Sequence, residues 1–226
     1  MGVAKGRQKT LLKKRNILFD LDGTLTDPMV GITKSVRYAL AHFGIEVAAL
    51  EELTPFIGPP LKGSFQHFYG FSEEDAETAL QKYREYFSKT GLFENQVYEG
   101  IPSLLKALKE QNFHLYVATS KPTVYATQIL EHFQLAKYFD FIGGSLLSGE
   151  RVEKKDVIDY VLKEKQIDPE NAIMVGDRSF DVSAGRAAGL TTIGVLYGYG
   201  DRNELTCAGA AYFAETVEDL KTLLLS

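Results

Sequence analysis

The sequence predicts an α/β fold: a parallel sheet covered by helices on both faces, carrying one small helical insert. Two patterns predict the sheet. Short apolar runs recur at Ile17–Phe19, Leu115–Ala118, Phe141–Ile142, Ile173–Val175 and Thr192–Leu196, and amphipathic helical patterns separate them. Strands apolar throughout, divided by helices, bury both faces of a parallel sheet. A third pattern predicts the insert, because residues 28–96 read as helices only and are far too long for a simple crossover.

Taken in order, the elements have local causes. Ile17–Phe19 is the first strand, and Gly23 serves the sharp exit after it. Within the insert, Gly31–Phe43 places Ile32, Val36, Ala39, Leu40 and Phe43 on one helical stripe. Ser72–Lys89 forms a second helix, opened by the Ser72-to-Asp75 capping pattern. Past the insert, Ile101, Leu104, Leu105 and Leu108 recur at helical spacing, as do Val157, Ile158, Val161 and Leu162, and later Val217, Leu220 and Leu224. The expected organisation is a basic, solvated tail over residues 1–15, a core built from 16–27 and 97–226, and the insert at 28–96. Thr26–Pro28 and the stretch near Asn95–Gly100 are the linkers.

Composition excludes several function classes. The chain has 226 residues, an apolar fraction of 45% and a net charge of −5, which argues against nucleic acid or an anionic membrane as partner. Its single cysteine, Cys207, leaves no internal disulfide and fits a cytoplasmic setting. No apolar run is long enough to span a bilayer. The tail carries Lys5, Arg7, Lys9, Lys13, Lys14 and Arg15, and its single apolar pair, Leu11-Leu12, is no signal-peptide core.

The chemistry concentrates where strands end. Asp20-Leu21-Asp22-Gly23-Thr24 places two carboxylates two residues apart, on one side of a small site. Thr119-Ser120 follows the second apolar run, Lys154 opens a helix, Gly176-Asp177 ends the fourth run, and Asp181 lies one helical turn further on. Ligands of parallel sheets bind at those carboxyl ends. Carboxylates, a lysine and hydroxyl donors are what phosphoryl transfer requires, since a carboxylate nucleophile approaches an anionic phosphate only when cations offset the repulsion. An all-oxygen donor set suits Mg²⁺, whereas His42, His67, His114 and His132 lack metal-ligand spacing and disfavour zinc. Asp22 is the natural acid and base. In the insert, the stiff turn Gly58-Pro59-Pro60, together with Lys62, is a candidate for substrate contact alongside Ser120, although a plain helix stop reads equally well from the sequence.

These residues, in this order, resemble the four motifs of the haloacid dehalogenase-like hydrolases, and the resemblance runs from Asn16 to the C-terminus. It implies a Rossmann-like three-layer core with a helical cap of type 1. Phe56-Ile57-Gly58-Pro59-Pro60-Leu61 and Gly194-Val195-Leu196-Tyr197-Gly198-Tyr199-Gly200 are similar to the phosphoglycolate phosphatase and 5′-nucleotidase-like branch. By this resemblance Asp20 is the nucleophile, Asp22 the acid and base, and Thr119 and Lys154 bind phosphate. Asp20, Asp22 through its carbonyl, and Asp177 bind Mg²⁺, with Asp181 beside them. Lys155 neighbours Lys154, and the Lys-x-Asp-Val-Ile spacing selects Lys154. The implied activity is hydrolysis of a small phosphorylated metabolite by a monomer or homodimer, with a phosphoglucomutase-type transferase and a non-catalytic binding protein as alternatives.

Overall fold

The computed structural model describes residues 14–225. They form two compact units, one of residues up to 25 and from 97 onward, the other of residues 26–96.

The first unit is a six-stranded parallel sheet. Its strands are β1 (Asn16–Phe19), β4 (His114–Pro122), β5 (Phe141–Ser145), β6 (Ala172–Gly176), β7 (Thr191–Val195) and β8 (Tyr212–Ala214), in the spatial order β5-β4-β1-β6-β7-β8. The numbers β2 (Thr26–Asp27) and β3 (Gln96–Val97) belong to two short strands that pair with each other. Chain order runs one way from β1 to β4 and β5 and the other way to β6, β7 and β8, so β1 lies at the topological switch point. Register fixes what ends there: Phe19 lies opposite Val117 on one side and Val175 on the other. Asp20, Thr119 and Asp177 therefore leave the sheet at one end.

Apolar burial holds that register. Ile17, Leu18 and Phe19 are fully buried. Leu18 shares a cluster with Tyr116, Met174 and the inward face of α6 (Lys154–Glu164), supplied by Val157, Ile158 and Val161. Each such side chain contributes roughly 1.5–3 kcal/mol through burial. Helix α4 (Ile101–Glu110) buries the stripe expected of it, and α9 (Val217–Leu225) buries Leu220 and Leu224 of its expected stripe while Val217 stays half-buried. Between them in the chain lie α5 (Thr123–His132), α7 (Ser179–Ala187) and α8 (Arg202–Ala208).

The second unit contains α1 (Met29–His42), a 3-10 turn at Leu50–Phe56, α2 (Leu61–Tyr69) and α3 (Glu73–Tyr86). Helix α1 starts two residues before Gly31 because Asp27 Oδ1 accepts the Met29 N–H at 3.0 Å. Ser72 caps α3 as its sequence predicts, its hydroxyl accepting the Asp75 N–H at 3.1 Å. The expected continuation to Lys89 is not α-helical: Phe87–Gly91 widens into a π turn closed by Leu92 N–H to Phe87 O. Gly31 meets this turn, where a Cβ would lie 2.0 Å from the Gly91 carbonyl oxygen.

The basic tail lies outside the described residues up to residue 13, and its last two residues correct the expected boundary. Lys14 is buried and donates to the Glu170 carbonyl, and the Arg15 carbonyl accepts the His114 N–H at 2.8 Å. Both are therefore part of the core fold. Among the described residues, no helix is long and apolar enough to cross a membrane.

Candidate active site

The exit from β1 sets the first two carboxylates. The Asp20 N–H continues the ladder to Val175 O at 2.9 Å, and the chain then turns through Gly23 at φ +81°. A side chain at Gly23 would also be obstructed, since its Cβ would lie 2.2 Å from Asp177 Oδ2. Close approach and left-handed backbone both demand glycine there.

Asp20, Asp177 and Asp181 are all buried, and one carboxylate oxygen from each lies within 4.8 Å of the others. Lys154, at the start of α6, sits between two of them, its Nζ 2.8 Å from both Asp20 Oδ1 and Asp181 Oδ1, and it donates to the Ala118 carbonyl at 3.2 Å. Lys155 instead pairs with Asp159 on the exposed side of the same helix. Asp22 stands apart from the triad and pairs with Lys121, Oδ2 to Nζ at 2.8 Å. Thr119 accepts the Lys121 N–H on Oγ1 at 3.2 Å, and the Ser120 carbonyl accepts the Ser145 hydroxyl at 2.8 Å.

Burial and mutual repulsion shape the electrostatics. Burial raises the Asp177 carboxyl well above its ordinary range, and the charges of Asp181 and Asp20 raise it further. Asp181 is pushed up to about 6 by burial, with Lys154 opposing and Asp20 assisting. Burial likewise raises Asp22 against the pull of Lys121. For Lys154, burial favours the neutral form, but Asp181 and Asp20 outweigh it and hold the ammonium charged. Four buried carboxylates thus face two buried ammonium groups, a deficit that one divalent cation offsets. The donor set fits such an ion: all ligands are oxygens, and the buried Oδ1 atoms of Asp20 and Asp181 accept no well-aligned hydrogen bond.

Residues the sequence left unassigned complete the site. Lys121 is one. The loop after β7 supplies the others: Tyr199 N–H donates to Asp177 Oδ2 at 2.8 Å, and the Tyr197 hydroxyl donates to the Thr24 carbonyl at 3.0 Å. A Cβ on Gly198 would lie 2.4 Å from Asp177 Cβ, and one on Gly200 2.0 Å from the Asp177 carbonyl oxygen. The alternating glycines of Tyr197-Gly198-Tyr199-Gly200 were the available signal, since paired glycines mark close backbone approach.

The substrate candidates Gly58, Pro59 and Lys62 belong to the second unit. Gly58 adopts φ +106° in the turn before α2, with Pro59 following it. Lys62 pairs with Glu73 at 2.6 Å and Glu77 at 3.3 Å, so its charge is engaged on α3.

The parallel switch-point sheet and its strand-end carboxylates define a class, and comparison places the chain within it. Residues 17–195 match the haloacid dehalogenase-like hydrolase family; the chain belongs to that family and is a phosphatase. A 5′-nucleotidase of Pseudomonas aeruginosa is 45% identical over 215 residues, 95% of this chain and 97% of its own length. The tyrosine-protein kinase PtkA of Mycobacterium tuberculosis is 38% identical, covering 92% of this chain and 72% of its own length. Phosphoglycolate phosphatase 1 of P. aeruginosa is 32% identical over 91% of this chain and 78% of its own. Among solved structures, a predicted phosphatase from Clostridium acetobutylicum superposes with a TM-score of 0.92 at 52% identity, covering 94% of this chain and 98% of its own.

Proposed function

We propose that this chain is a Mg²⁺-dependent phosphatase of small phosphomonoesters, of 5′-nucleotide or phosphoglycolate type, working through an aspartyl-phosphate. The observation that carries the reading is the buried triad of Asp20, Asp177 and Asp181 with Lys154 between two of its members. Asp20, the Asp22 carbonyl and Asp177 would hold Mg²⁺, with Asp181 beside them. The ion, when bound, would offset the charge of the phosphate and its nucleophile.

In the first half-reaction an Asp20 carboxylate oxygen bonds to phosphorus as the ester P–O bond breaks, and protonated Asp22 gives its proton to the departing oxygen. In the second, water attacks phosphorus, Asp22 takes the water's proton, and orthophosphate leaves with Asp20 restored. Lys154 offsets charge on Asp20 and the phosphate throughout, and Thr119 and Ser120 offer hydroxyls to the phosphoryl oxygens. Burial supports the acid role, since it favours the protonated form of Asp22. The helical unit, read as 28–96, is a cap that selects the leaving group through the Gly58-Pro59 turn. Contact between Lys62 and substrate requires its ammonium to leave Glu73 and Glu77. A reducing cytoplasm suits the lone Cys207.

The test is turnover of 5′-nucleotides, phosphoglycolate and, in isotopically labelled water, a phosphorothioate monoester made chiral at phosphorus by oxygen isotopes, each with Mg²⁺ or with chelator. Wild type should turn over only with the metal, and Asp20→Asn should be inactive with its fold intact. Two successive in-line displacements retain configuration at phosphorus. Inversion, or activity in Asp20→Asn, overturns the covalent route. The relative named as a tyrosine kinase favours transfer to an acceptor hydroxyl as a second reading, and orthophosphate release without acceptor decides against it.

A further inference from the structure

The Asp22–Lys121 pair is set by more of the backbone than an incidental ion pair needs. Lys121 lies in an irregular stretch of β4. Thr119 is in register with Gly144 and Pro122 with Ser145, so Ser120 and Lys121 are extra residues against β5. Bulges of this kind re-aim side chains and are common beside active sites. Three contacts hold this one: Thr119 Oγ1 on the Lys121 N–H, Ser145 Oγ on the Ser120 carbonyl, and Gly144, where a Cβ would lie 2.4 Å from the Lys121 carbonyl oxygen. The outcome is a lysine only 8% exposed whose ammonium reaches one oxygen of Asp22, while Oδ1 of the same carboxylate is buried and accepts no hydrogen bond.

We propose that Lys121 is a positioning residue: by gripping Asp22 Oδ2 it fixes the carboxylate apart from the Asp20–Asp177–Asp181 triad and keeps Oδ1 aimed at the oxygen that leaves phosphorus. The inference rests on the acid and base role proposed for Asp22. It assigns Lys121 no contact with phosphate, which separates it from Lys154.

Leaving-group dependence tests the proposal. An alkyl phosphate needs its departing oxygen protonated, whereas p-nitrophenolate leaves unaided, and kcat/KM reports the first phosphoryl transfer alone. Lys121→Gln should lower kcat/KM by about 10²-fold for the alkyl ester, the scale of an Ångström-sized misplacement, and by less than about 10-fold for p-nitrophenyl phosphate. Lys121→Arg should recover most of the alkyl activity. Ser145→Ala, which loosens the bulge while keeping the lysine, should show a weaker form of the same split and serves if Lys121→Gln does not fold. Equal losses on both esters, or no loss, overturn the proposal. Asp22→Asn is the separate control: if it lacks the split, the acid and base reading itself fails, and if it has the split while both Lys121→Gln and Ser145→Ala lack it, only the role of Lys121 fails.

Discussion

Asp177 has one oxygen on the Tyr199 N–H and the other 3.4 Å from the Thr24 hydroxyl, so its carboxylate has a single available orientation. Gly198 makes that orientation possible by leaving the space its Cβ would take from Asp177 and from the Gly23 carbonyl. Gly198→Ala should therefore displace Asp177 and cost about 10²-fold in kcat/KM, with a raised Mg²⁺ requirement and, because the Gly23 carbonyl is backbone and yields only at a cost, a melting temperature lowered by several degrees. Steady-state kinetics across a Mg²⁺ titration, beside a thermal melt, checks both halves; unchanged kinetics would reject the clamp. The triad, Asp22 and Lys154 were legible in the sequence because each sits at a strand end or helix start that local pattern reveals. Lys121 was not, since its role depends on a bulge defined by pairing with β5, and pairing is not written in local spacing. The Tyr197–Gly200 loop was seen as a family likeness, while its contact with Asp177 is tertiary.

Among the elements, α7 carries Asp181 and needs its first turn held. Arg178 N–H donates to Asp181 Oδ2 at 3.0 Å, and Glu204 on α8 receives both the Arg178 guanidinium, at 3.0 Å, and the Ser179 N–H, at 2.7 Å. Burial alone would raise the Glu204 carboxyl, but the Ser179 amide and Arg178 outweigh it and hold it below its ordinary value. A depressed folded-state value means that the stabilisation is complete above the unfolded value, about 4.3, and is lost as pH falls through the folded one. Glu204→Gln should cost about 1.5–3 kcal/mol at pH 7, the range for hydrogen bonds to charged groups, or several degrees in melting temperature. The gap from wild type should narrow below about pH 4. Melting curves from pH 3 to 7 would expose the error if the gap were constant. Strands and most amphipathic helices were legible because burial imposes period and apolar runs, whereas α2, α8 and β8 were not: only Ser64 and Phe65 are buried on α2, only Leu205 is buried on α8, and β8 has three residues. The π turn after α3 was hidden for a different reason, as the close approach of Gly31 and Gly91 is set by packing between segments distant in the chain.

Over the whole molecule the net charge is −5, and the carboxylates at the switch point are concentrated in a buried site where solvent screens little. Function demands that concentration, and folding bears its repulsion. A divalent cation that bound only the assembled site would therefore act as a folding ligand as well as a catalytic one. At a hundredfold excess over its dissociation constant, Mg²⁺ should stabilise the chain by about 2.7 kcal/mol, or roughly 5–10 °C for a protein of this size. Asp177→Asn should remove most of that shift. Its metal-free form should melt no lower than metal-free wild type, because one of the mutually repelling charges is gone while an oxygen remains for the Tyr199 N–H. The two effects have opposite signs, which a general loss of folding cannot imitate. Calorimetry of both proteins with Mg²⁺ and with chelator measures them together. A full Mg²⁺ shift in Asp177→Asn would remove that residue from the cation site, and a metal-free variant melting well below wild type would show that the carboxylate holds the fold through contacts rather than straining it through charge.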